Sequence, residues 1–309
     1  VNSVAQPFVT TIGATTGGTL TLNAAITGAS DVNIANNSAS GGGAGTTILG
    51  AVSTYTGATT FNANNGAQGG TVLAINNPLP VATDVTFGTQ TGHNAARLDL
   101  NGFNLQIGSL SSGANAPTTS VIINNGAGSS TLTVGGATSP VAFQGAIIDG
   151  GSSVALAKSG SGTLTLAGAN TYTGPTTVSG GTLAITGSLG NTAVAVNGGA
   201  LGGSGTIAGS VAVNSGGSIF GGTTALNPGT LTVGSLAFNN GGAYNWGVTD
   251  LTTSVGLINL TGGGLDLSGL TNANGFTLNL NSFGGTIAGF TNTSNTSFTL
   301  VQGTSAITG

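Results

Sequence analysis

The chain has 309 residues, of which 3% are charged, 38% are hydrophobic and 59 are glycine, with a formal net charge of −4. An ordinary soluble domain carries about a quarter charged residues; their scarcity here removes the Glu, Lys and Arg that keep a helix surface wet, while Thr, Val and Ile favour strands. The same numbers give no electrostatic footprint for nucleic acid or an anionic membrane, and the apolar content is too high for a disordered chain. All six acids are aspartate, the two cations are Arg97 and Lys158, and the one histidine is His93. With no cysteine in the chain there is neither a disulfide nor a thiolate metal site. No apolar run reaches the ~18 residues of a bilayer-spanning helix.

In chain order, residues 1–44 read as an N-terminal strand arm and cap region. Val1 stands where a start methionine is usual, which points to an export segment removed upstream. Val4, Phe8, Val9 and Ile12 make the arm apolar, and Pro7 holds it extended. It precedes the first Gly-Thr-Leu phrase, at Gly18, and is expected outside the regular coils. Two roles suit it: a cap on its own first coil, or a strand added to the open end of another copy.

Residues 45–246 carry a repeat. The phrase Gly-Thr-aliphatic recurs at Gly162, Gly181, Gly205 and Gly229, in nearly even steps. A period near 20 with Gly and Asn punctuation belongs to solenoids, whose coils cannot bury their own faces alone. Inside each coil the period is two, so Leu164, Leu166, Leu183, Ile185, Ile207 and Leu231 are expected in one core. Asn197-Gly198 and Gly216-Gly217 suit tight corners. Such pairs also serve antiparallel hairpins; the near-constant coil spacing is what favours parallel coils. Residues 247–309 read as additional strands, with Phe276, Leu278 and Leu280 alternating against Thr277 and Asn279. They are too few for the eight or more strands of a membrane barrel.

The stretch from Leu156 to Leu183, with Lys158, Gly162-Thr163-Leu164, Asn170-Thr171-Tyr172-Thr173-Gly174 and Gly181-Thr182-Leu183, closely resembles the autotransporter-associated β-strand repeat, also called the passenger-associated transport repeat. A degraded copy runs through Gly45–Leu49, Ser53-Thr54-Tyr55-Thr56-Gly57 and Gly70-Thr71-Val72. Leu98–Leu110 and Phe143–Gly150 resemble segments that accompany the repeat, so the resemblance covers residues 45 to 246. It implies an all-β protein, a right-handed parallel β-helix, exported to the cell surface or beyond it.

The sequence offers few groups for chemistry. On one strand His93, Arg97 and Asp99 would share a face, which suits a base oriented by an acid; an exposed Arg97–Asp99 pair beside a solvated histidine is the favoured reading. Asp84 with Asp99, and Asp250 with Asp266, are too close in sequence for the coil spacing that would stack them as a glycosidase pair. Gly202-Gly203-Ser204-Gly205 lacks the aspartate of a calcium-binding β-roll, although Asp149 or Asp250 remain single-site options. Lys158 is read as a polar side chain at a coil corner in preference to an isopeptide donor. Tyr244 and Trp246 either cap the core or stack on a sugar. No catalytic, cofactor or metal residue is assigned.

The expected function is a rigid, non-enzymatic extracellular rod that polymerises with itself. An adhesin or glycan-binding module is the alternative, and a polysaccharide-active enzyme is the weakest reading. Neither nucleic acid nor a membrane span enters.

Overall fold

The structure is a computed structural model and describes residues 9–15, 17–37, 45–64, 69–88, 93–113, 118–224, 227–250, 254–262, 264–270, 277–282, 301–303 and 307–308. Every regular element among them is a β-strand. No described helix is long and apolar enough to cross a membrane. The chain divides into two compact units, Val1–Ala155 and Leu156–Gly309.

In the first unit the strands stack in parallel, coil upon coil. One sheet runs Val9–Ile12, Asp31–Asn37, Thr59–Asn64, Asp84–Phe87, Ser109–Ser112. Another runs Thr19–Leu22, Thr46–Leu49, Gly69–Leu73, Ala96–Asp99, Val121–Asn124, Ala146–Asp149. The coil length follows from the register: one full turn carries the chain from Val9 to its neighbour Asp31, and from Thr19 to its neighbour Thr46. Alternation sends one face of each strand inward, as period-two patterning requires. Thr47, Thr71, Leu98, Ile122 and Ile147 form one buried column across successive coils. Phe61, Phe87 and Phe143 form another, with ring centroids 5.2 and 5.3 Å apart, in the offset range that aromatic pairs prefer.

The second unit is built the same way with shorter early coils. A turn there runs from Thr163 to its neighbour Thr182, and from Val194 to Val211. The step then widens, with Ser218 opposite Ala243. Leu164, Leu183, Leu201, Ile219 and Tyr244 form a single buried column. Val178, Val196, Val213 and Phe238 form a second. All six side chains expected in the core, Leu164, Leu166, Leu183, Ile185, Ile207 and Leu231, are buried. Outside the core, Asn239 donates to Asn214 and Asn214 to Asn197, each at 2.6 Å, so one amide rung runs coil to coil. Thr277–Ser282 continues the stack, paired in parallel with Ala243–Asp250. Each unit is a parallel β-helix.

The N-terminal segment departs from expectation. Val9–Ile12 does not lie outside the coils; it pairs in parallel with Asp31–Asn37, Val9 opposite Asp31 and Ile12 opposite Ile34. Val9 is 57% exposed. Val4 and Phe8 lie outside the described residues, as does Phe276.

Candidate functional site

The few charged residues are tied into the framework. Asp31, Asp99, Asp149 and Asp266 each accept a backbone N–H, from Ala58, Asn101, Val154 and Ser268 respectively. An aspartate is short enough to reach the backbone at a corner, which accounts for acids that are all Asp. Asp99 does most. It is 7% exposed, and its Oδ1 accepts from the Asn101 and Asn125 N–H groups, each at 3.0 Å. Its Oδ2 accepts from Asn125 Nδ2 at 2.5 Å and pairs with Arg97 at 3.3 Å. The expected exposed pair is therefore a buried acid that joins two coil corners. His93 does not share a strand with it: His93–Asn94 pairs antiparallel with Thr59–Asn64, while Ala96–Asp99 belongs to the other sheet. The chain changes sheet between them, and no face common to all three exists. Among the described residues no three His, Cys, Asp or Glu come together as metal ligands.

Lys158, expected as a polar side chain at a coil corner, ends the strand Val154–Lys158 and is buried there. It stands opposite Val178 in the register, 1% exposed, in phase with the buried Val154 and Leu156. Its stem lies in the core and its ammonium turns to the corners, donating to the carbonyls of Ser159, of Gly160 at 3.0 Å and of Gly180 at 3.3 Å. Burial pushes its pKa down from the usual lysine value. All three contacts are backbone carbonyls, so the geometry is that of a clamp between coils. Tyr244 and Trp246 are buried as well, with Tyr244 Oη donating to Gly256 O at 3.1 Å. Their rings belong to the core and present no face to a sugar.

The two Tyr-Thr-Gly-x-Thr phrases fold alike. In the first, Tyr55 Oη lies 2.5 Å from Thr59 Oγ1, which lies 2.9 Å from Thr83 Oγ1 in the next coil. Thr83 donates to Gly57 O at 3.1 Å. That last bond fixes the direction, each hydroxyl donating to the next from the tyrosine to the carbonyl. In the second, Tyr172, Thr176, Thr192 and Gly174 O form the same chain, at 2.7, 3.4 and 2.6 Å. Gly57 is required by close approach, since a Cβ there would sit 2.4 Å from Ser30 O.

Beside the first phrase lies an open cleft of about 650 Å³. Val52, Leu79, Pro80 and Val81 give its lining apolar side chains, and Asn76 and Asn77 line it as well. Val52 and Val81 are 55% and 47% exposed. No lining residue is charged. The cleft is held on both sides: Ser53 N donates to Pro78 O, Asn104 N to Asn76 Oδ1 and Gln106 N to Asn77 Oδ1. Asn77 adopts a left-handed conformation, φ 50°, which asparagine tolerates at such turns. Sequence reasoning missed this site; the available signal was the Asn76-Asn77-Pro78-Leu79-Pro80 run, a rigid corner amid Gly and Thr.

The passenger-associated-transport-repeat family matches residues 42–63 and 156–185, the segments that hold the two Tyr-Thr-Gly-x-Thr phrases. Over 220 residues, 69% of this chain, the sequence is 30% identical to the adhesin BmaC autotransporter of Brucella suis biovar 1 (strain 1330). The chain spans 6% of the length of that relative. No solved structure matches. The matches place the protein at the cell surface or outside the cell, and the chain is an autotransporter-associated repeat protein, carrying one passenger-associated transport repeat in each of its two β-helical units.

Proposed function

We propose that the chain is a β-helical segment of an adhesin-type surface passenger, working by presenting a rigid binding surface and catalysing nothing. The observation that carries this reading is the use of its reactive groups: Asp99, Arg97 and Lys158 are held by one another or by the backbone of neighbouring coils. Such groups set coil geometry and leave the uncharged surface to meet a partner. The name of the relative, an adhesin, supports the same reading. Beads coated with purified chain should attach saturably to cultured epithelial cells or matrix-coated plates, and soluble chain should compete. Attachment no better than that of albumin-coated beads would overturn the proposal.

Self-assembly into a fibre is a second reading, favoured by one observation. Among the described residues Val9–Ile12 is the outer strand of its sheet, with Val9 exposed, and an open edge is a template for a strand from another copy. Its repetition is heterologous and yields filaments. Electron microscopy of the chain with and without residues 1–12 tests it: ordered filaments should vanish while folded monomers remain. Filaments unchanged by the deletion exclude the linking role.

A further inference from the structure

We infer that the cleft beside the first repeat is a preformed site for an extended, uncharged peptide segment bearing aliphatic side chains. The inference rests on the adhesin-type reading and names the class of partner. Volume comes first: about 650 Å³ lies within the range of ligand sites, and is enough for two or three aliphatic side chains. Charge comes second. None of the residues that line the cleft is ionised at neutral pH, so a charged ligand would lose solvation there without gaining a partner.

The polar lining defines the ligand further. The side-chain oxygens of Asn76 and Asn77 accept from the Asn104 and Gln106 N–H groups. Those bonds fix each amide, because only the oxygen can accept, and leave each Nδ2 as the donor end. The ligand must therefore bring acceptors beside apolar groups, which is what peptide carbonyls next to Val, Ile or Leu side chains provide. A glycan fits less well: the walls are branched aliphatics, and the one ring at the site, Tyr55, is buried beneath the corner, whereas sugars stack on exposed rings. A lipid would need a longer channel and a cation for its headgroup. Because neighbouring coils hold the corner from both sides, little ordering is lost on binding.

The probes are capped pentapeptides alternating Val, Ile or Leu with Thr, the same peptides with Asp at the apolar positions, and a trimer of N-acetylglucosamine. Each is titrated into isotopically labelled full chain and followed by amide chemical shifts. The aliphatic peptides should give saturating shifts within 52–57 and 76–83, and the other probes none. Val52→Asp with Val81→Asp should weaken binding at least tenfold. Asn76→Asp with Asn77→Asp keeps both accepting oxygens and deletes both donors, so it should weaken binding severalfold with unfolding unchanged. The inference is overturned if no aliphatic peptide binds, if the shifts map elsewhere, or if only the sugar binds. The two readings separate on the coated beads. If the Val52→Asp, Val81→Asp chain loses peptide binding yet its beads attach as before, the cleft is not the adhesive site and the adhesin-type reading stands; if wild-type beads fail to attach while peptides bind, the reverse holds.

Discussion

The two repeat copies share a hydrogen-bonded chain and differ in the corner that receives it. In the first, the corner runs from Leu73, at the end of the strand Gly69–Leu73, to Thr83; in the second it runs from Ile185, at the end of Thr182–Ile185, only to Thr192. The short corner is zipped into the sheet: Ser188–Leu189 pairs in parallel with Ala169–Asn170 and again with the next coil. The long one contains Pro78 and Pro80, which have no N–H to give a ladder, and it is held by the side chains of Asn76 and Asn77 together with single backbone bonds to Ser53 and Asn104. A few extra residues in one corner therefore separate a closed coil from one that opens a cleft. The repeat phrase fixes the stack, and corner length decides what the stack displays.

The largest effect expected from breaking the comparison is on the buried rings. Tyr172→Ala should cost about 3–5 kcal/mol, the usual range for deleting a core aromatic, because the zipped corner cannot collapse onto the void. Tyr55→Ala should cost less, since the cleft beside it lets the corner settle. Native-state hydrogen exchange at each copy reads the two separately; equal losses would mean that the corners are equally rigid.

A smaller effect is expected where the long corner leans on the next coil. Asp99→Ala leaves the N–H groups of Asn101 and Asn125 without their acceptor, for a loss of about 2–3 kcal/mol. The same variant should loosen 76–83, because Asn101 Nδ2 donates to Leu73 O and Asn104 bonds both to Asn76 and to Asn77. Faster exchange confined to 99–102 would show the cleft to be independent of that support.

Some of this is legible in the residues and some is not. The columns are: Leu164, Leu183 and Leu201 stack because each opens or occupies an alternating strand at coil spacing, and composition alone removes the helix. The repeat phrases are visible too, although not what their hydroxyls do, since Thr83 and Thr192 come from coils whose length the phrase does not set. Lys158 shows a different failure. Its phase with Val154 and Leu156 points inward, and the general preference of lysine for solvent argues against that phase and is wrong here. Asp99 misleads for the converse reason, as its partner Asn125 becomes a neighbour only once the coil is closed. The cleft is an excess of chain at one corner, and no periodicity signals an excess.

Alkaline pH gives the next contrast. Burial pushes the Tyr172 hydroxyl strongly up from its usual value of 10.0, and raises Tyr55, whose bonds to Thr59 and Thr83 work against the rise. A raised folded pKa means that the unfolded chain ionises first, so stability is intact below pH 10.0 and is lost as pH rises above it. Tyr172→Phe should blunt that loss more than Tyr55→Phe, at a cost of about 1 kcal/mol each near neutrality. Unfolding midpoints from pH 8 to 11 check it, and identical slopes for the two variants would contradict the stronger rise at Tyr172.

The smallest effect near neutrality concerns the clamp that the second copy has and the first lacks: Lys158 has no lysine counterpart in residues 42–63. Removing it has two opposed consequences. Lys158→Met leaves the carbonyls of Ser159, Gly160 and Gly180 without their donor, and it also abolishes the desolvation of a buried ammonium. Replacements of buried ions by well-packed apolar side chains are often neutral for that reason, so a net change within about 1 kcal/mol is expected at pH 7. The pH dependence separates the terms. Because the folded pKa lies below the ordinary 10.5, the unfolded chain holds more protons between the two values, and the contribution of Lys158 to stability rises with pH across that window. The variant has no such group, while its tyrosines are unchanged and cancel in the difference. Wild type should therefore gain on Lys158→Met as pH climbs towards 10.5. A difference that stays flat would mean that three carbonyls solvate the ammonium as well as water does, making the clamp a source of cohesion between coils rather than a geometric constraint held against its own desolvation.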